Sequence, residues 1–114
     1  MPILNIRTNQ DIDAERCREL LHKATDMLST MLGKPKSAIM VDITPNAHLM
    51  LADSTAPSAY LELKLFAFPD EGVAEYVKAL TAFVEAELGA SPEFQFQQFI
   101  TMSPSMFGWN GGTC

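Results

Sequence analysis

No stretch of this chain stays apolar long enough to cross a bilayer, which takes ~20 residues as a helix. The first residues, Met1 to Arg7, alternate and lack the basic flank and apolar segment of about 7 to 15 residues that mark a secretory signal. Basic residues are scarce: 8 Lys and Arg stand against 14 Asp and Glu, for a net charge of −6, and no run of Lys or Arg offers a local exception. That balance repels phosphate backbones and anionic lipid, which argues against nucleic acid and membrane partners. Cysteine is reduced to Cys17 and Cys114, from which neither a metal spacing nor a disulfide framework can be built. The two histidines, His22 and His48, belong to no spaced Ser, His and Asp motif, so a hydrolase triad is not indicated. The expectation is a soluble cytoplasmic protein with no metal and no cofactor.

What the chain does have is apolar pattern. Over 114 residues, 47% are hydrophobic and 19% charged, the balance of one ordered domain spanning 1–114. From Pro2 to Thr8, Leu4 and Ile6 alternate with Ile3, Asn5 and Arg7, a strand that starts at the terminus itself. Cap chemistry at Asn9 to Asp13 leads into Cys17, Leu20, Leu21, Ala24, Met27, Leu28, Met31 and Leu32, one face of a helix that Gly33 and Pro35 close. Ser37 to Thr44 reads as a second strand, and His48 to Ala52 as a short returning hairpin arm. After the loop Asp53 to Pro57, Ser58 to Phe68 is a long strand with Ala59, Leu61, Leu63, Leu65 and Ala67 on one side. A second helix carries Val73, Tyr76, Val77, Leu80, Phe83, Val84 and Leu88 as its stripe and stops at Gly89. Phe94 to Met102 is the last long strand, with Phe96, Gln98 and Ile100 on one side and Gln95, Gln97 and Phe99 on the other.

The offset that carries Gly33 onto Gly89 also carries Pro2 onto Ser58, so the chain reads as two βαβ pseudo-repeats, about 2–57 and 58–114. The fold class expected is α/β of the α+β sandwich type, a four-stranded mixed sheet with two helices on one face. The other sheet face then bears Phe66, Phe68, glutamines and Lys64. That is too apolar to leave in water and too polar for an ordinary core, which points to a symmetric oligomer. The tail from Ser103 to Cys114 has turn signals and is free to add edge strands to a neighbour.

Two residues carry a candidate chemistry. If Met1 is removed, Pro2 begins the chain as a secondary amine, and an α-amino group titrates near ~7.7 to 8.0. Burial or a nearby cation lowers that value, leaving a base that accepts a proton at neutral pH. The strand that follows would hold such an amine in a folded core, although many chains begin Met-Pro with no catalytic consequence. Lys34, just past the first helix, is either a cation complementing the helix C-terminus or the binder of a substrate carboxylate. Trp109 is equally open as core packing or pocket wall.

With Met1-Pro2, Gly33-Lys34-Pro35, Ser91-Pro92 and Gly108-Trp109-Asn110 in this order and spacing, the chain resembles the macrophage migration inhibitory factor family of the tautomerase superfamily over essentially its whole length. The resemblance implies a βαβ repeat assembled as a homotrimer with sites at subunit interfaces. It further implies a keto-enol tautomerase of small aromatic α-keto acids such as phenylpyruvate, with dopachrome-like compounds as further substrates. Pro2 matches the catalytic proline, and Lys34 the lysine that contacts the substrate carboxylate. Ile3 and Phe66 match pocket-lining positions, Phe66 in place of an aliphatic residue and offering its backbone amide. Phe107 and Trp109 are implied as apolar walls from the neighbouring subunit. Phe96 stands where mammalian members carry a tyrosine near the proline, Gln98 where they carry asparagine, and Ala38 and Cys114 where they carry aromatics. The Cys-x-x-Cys of thiol redox activity is absent from Ser58-Ala59-Tyr60-Leu61. The alternative that the family resemblance permits is a secreted, cytokine-like protein with vestigial catalysis, which leaves cells without a signal peptide and binds a protein receptor.

Overall fold

Inward-facing Leu4 and Ile6 sit at 0% and 2% exposure and Thr8 is fully buried, so the alternation at the terminus forms a strand, β1 (Ile3–Thr8), in the computed structural model, which describes residues 1–114. Asp13 caps helix α1 (Ala14–Leu32), its side chain accepting from the Arg16 N–H at 2.8 Å. The helix buries Leu20, Ala24 and Leu28, residues four apart on one stripe. It ends at Gly33, whose φ of 64° is the left-handed conformation that glycine adopts without penalty. Strand β2 (Met40–Thr44) lies parallel to β1, with Met40 opposite Ile3. Strand β3 (Ala59–Leu65) runs antiparallel to β1 with Lys64 opposite Ile3. Helix α2 (Ala74–Leu88) and strand β4 (Gln95–Thr101) complete the second half, β4 parallel to β3.

The sheet order is β2-β1-β3-β4, so two strand-helix-strand units join along an antiparallel centre. Both helices press Leu20, Leu28, Leu80, Val84 and Leu88 onto Leu4, Ile6, Leu61, Leu63 and Leu65 of the same sheet face. Burying each such side chain stabilises the fold by about 1.5 to 3 kcal/mol. The tail folds on itself: β5 (Gly108–Trp109) and β6 (Gly112–Thr113) form a hairpin. Its two-residue turn, Asn110-Gly111, has φ of 51° and 82°, as a mirror-image hairpin turn requires. No helix is long and apolar enough to cross a membrane, and no three His, Cys, Asp or Glu side chains converge.

Several local expectations are corrected. Lys36 to Ala38 form a short 3-10 turn after Pro35, so β2 begins only at Met40. His48 to Ala52 is no hairpin arm: positive φ at Ala52 and Asp53 turns the chain at once, leaving a single bridge between Leu51 and Ser54. The long strand stops at Leu65 rather than Phe68. Beyond that point alternation no longer sets direction, and Phe68 packs on the core side, edge-on to Phe99 at 6.0 Å between ring centres.

Candidate active site

Pro2 is under 2% exposed and lies where β1 begins, tied in by its carbonyl, which accepts from the Met40 N–H at 3.0 Å. Two cavities meet at this residue. One, of about 240 Å³, is lined by Lys34, Leu65, Phe66 and Tyr76 among others. The other, of about 210 Å³, is lined by Ile3, Ala38, Met40, Phe107 and Trp109 among others. Met1 and Pro2 are the residues common to both. With Met1 present, the Pro2 nitrogen is an amide and has no basic lone pair.

Each wall has a local cause. The left-handed turn at Gly33 redirects the chain so that Lys34 leaves the helix axis, and the Ser29 hydroxyl donates to the Lys34 carbonyl at 2.6 Å. Lys34 enters none of the six ion pairs, whereas Lys36 nearby is held by Asp26 at 2.6 Å. Phe66 follows the last residue of β3, whose Leu65 carbonyl accepts from Met102 at 2.7 Å. Phe107 stacks edge-on against Phe66, ring centres 5.3 Å apart, and its carbonyl accepts from the Cys114 N–H at 3.1 Å, closing the hairpin that carries Trp109.

The predicted residues therefore divide. Pro2, Lys34, Ile3, Phe66, Phe107 and Trp109 come together within one chain, so Phe107 and Trp109 need no neighbour to reach Pro2. The fold of the tail back over the end of β3 is the reason. Phe96 and Gln98 are elsewhere. Phe96 pairs with Tyr60, five residues along β3 from Leu65, a separation of roughly 16 Å at strand rise. There it lines an apolar cavity of about 160 Å³ with Leu49, Met50, Leu51 and Phe94.

On that part of the open face the Tyr60 hydroxyl lies 2.9 Å from Glu62 and 2.8 Å from Gln98 Oε1. A phenol has one proton, and the charged carboxylate is the stronger acceptor. The hydrogen bond to Glu62, aided by burial, accordingly raises the Tyr60 pKa. Gln98 Oε1 is a second acceptor for that same proton. Tyr76 was missed by pattern reading, because its position on the apolar stripe of α2 matches core packing. A phenol on such a stripe needs a polar outlet, and that requirement was the available signal.

Two strand-helix-strand repeats with a buried proline at the head of the first strand, between two small cavities, define a protein of the tautomerase fold class. A family model described as macrophage migration inhibitory factor (MIF) matches residues 1–114, and the chain belongs to that family. It is similar to macrophage migration inhibitory factor of Xenopus laevis, 28% identical over 119 residues, covering 99% of this chain and 98% of that protein. It is also similar to D-dopachrome decarboxylase-B of Xenopus laevis, 26% identical over 115 residues, covering 97% and 95%. In fold it matches the solved macrophage migration inhibitory factor of Trichinella spiralis at a TM-score of 0.88, with 24% identity and coverage of 98% and 99%.

Proposed function

We propose that this chain is a keto-enol tautomerase of small aromatic α-keto acids such as phenylpyruvate, with the Pro2 amine, freed by removal of Met1, as acid and base. The observation that carries the reading is the burial of Pro2 between a cavity with a cation and a cavity walled by aromatic residues. Removing Met1 exposes the nitrogen to both. Burial among apolar side chains favours the neutral amine, which takes a proton from the carbon next to the carbonyl. Lys34 anchors the carboxylate, while Ile3, Phe66, Phe107 and Trp109 hold the ring and limit water. The protonated amine then returns its proton at the other position. Phe96 and Gln98 act at the Pro2 of another subunit in a homotrimer, their own Pro2 being out of reach.

The test is phenylpyruvate tautomerisation by protein whose processed N-terminus is verified by intact mass. Pro2→Gly should lower kcat/KM by about a hundredfold or more, the contribution of a positioned acid-base group. An inactive, correctly processed wild type would sink the reading. A second reading, binding of a protein receptor, is favoured by the name macrophage migration inhibitory factor carried by the Xenopus relative. Receptor binding that survives Pro2→Gly would separate the two.

A further inference from the structure

We propose that Tyr76 is a substrate-binding residue whose hydroxyl, together with Lys34, holds the carboxylate of the α-keto acid in the cavity beside Pro2. The proposal rests on the tautomerase reading of that site. Among the nine residues lining this cavity, only Lys34 and Tyr76 have side chains that donate hydrogen bonds; the others are Met1, Pro2, Leu32, Leu65, Phe66, Ala67 and Pro69. Both donors are uncommitted. Lys34 has no ion-pair partner. The Tyr76 hydroxyl makes no hydrogen bond within the chain, yet it is not among the buried polar atoms cut off from solvent, so it opens onto accessible space. The other tyrosine of the chain, Tyr60, is held by Glu62 and Gln98.

The two donors complement each other physically. Lys34 brings full charge on a flexible stem, which by itself fixes a carboxylate poorly. The Tyr76 ring packs against the hydrophobic core near the start of α2, so its hydroxyl is placed in advance. A carboxylate has about four acceptor sites, enough for both donors at once. With one oxygen held by each, the carboxylate is anchored at two points in the cavity beside Pro2.

Tyr76→Phe keeps the ring in the core and removes only the hydroxyl, so its thermal midpoint should match wild type. Loss of one hydrogen bond to a charged ligand should raise the KM for phenylpyruvate, and its dissociation constant by calorimetric titration, about tenfold, with kcat within about twofold. Binding of phenylpyruvate methyl ester, which lacks the carboxylate, should not distinguish the variant from wild type. Unchanged KM and dissociation constant in Tyr76→Phe, with turnover still dependent on Pro2, overturn this assignment and leave the tautomerase reading standing. Equal weakening for acid and ester overturns it too, as does failure of processed wild type to bind phenylpyruvate at all. Binding that depends on Tyr76 without turnover would uphold it and overturn only the proposed chemistry.

Discussion

At the scale of single residues, Gly33 connects backbone conformation to the site. Its φ of 64° costs an L side chain about 1 to 2 kcal/mol, and an added Cβ would meet nothing within 4 Å, so the cost of a substitution there is purely conformational. Gly33→Ala should therefore lower unfolding stability by about 1 kcal/mol, read as an earlier urea midpoint with unchanged slope. Because Lys34 follows directly, the KM for phenylpyruvate should rise as well, while Gly33→Asn, which tolerates this conformation better, should lie between the two. A Gly33→Ala protein as stable as wild type would refute the argument. This residue was legible: glycine between an apolar helical stripe and a proline has few other uses. Tyr76 was not, since helical periodicity reports that a side chain faces inward and not that a cavity opens beside it. The side of the molecule from which Phe107 and Trp109 approach Pro2 was equally hidden, being decided by the turn at Asn110-Gly111 and the return of the tail.

At the scale of elements, periods of two and 3.6 residues named every main strand and helix, because one face of each packs on a common core. They failed where burial stops alternating, at Lys36 to Ala38, His48 to Ala52 and Phe66 to Phe68. The helices are also joined by charge, which the pattern did not reveal. Glu87 near the end of α2 accepts from Arg16 at 2.9 Å and Lys23 at 3.1 Å, both on α1, and its side chain is 18% exposed. The hydrogen bonds from Arg16 and then Lys23 lower the Glu87 pKa. A carboxyl depressed in the folded state stabilises above its unfolded pKa of about 4.3 and loses that contribution as pH falls through the lower folded value. Glu87→Gln should thus destabilise by about 0.5 to 1 kcal/mol at pH 7, with a smaller difference in high salt. Denaturation followed from pH 7 down to strongly acid conditions should show the two proteins converging. A gap that stays constant into strong acid would assign the loss to packing instead of charge.

For the molecule as a whole, the surface is larger than a chain of this size needs. It exposes 6801 Å², against ~6200 Å² for a typical folded monomer of this mass. Its radius of gyration is 14.5 Å, against ~13 Å for a compact domain of this length. The excess is not evenly chemical: Met40, Met50, Phe96 and Trp109 are each more than 60% exposed. Met40 and Phe96 stand on the strands at opposite edges of the sheet, whose open face also carries the Tyr60, Glu62 and Gln98 cluster. Copies that cover this face in a closed ring would bury both edges and carry Phe96 to a neighbour's Pro2, which its own chain holds roughly 16 Å away along the sheet. Sedimentation equilibrium should accordingly give three times the chain mass. Phe96→Asp should lower that mass toward the single chain while leaving the helical signal intact, since an exposed side chain contributes little to the core, and activity should fall more than about tenfold with the loss of the assembled site. Phe96→Tyr should keep the assembled mass and raise kcat/KM by placing a hydroxyl on the same face. A wild-type monomer with full Pro2-dependent turnover would remove the need for a second subunit and return Phe96 and Gln98 to a role outside the site.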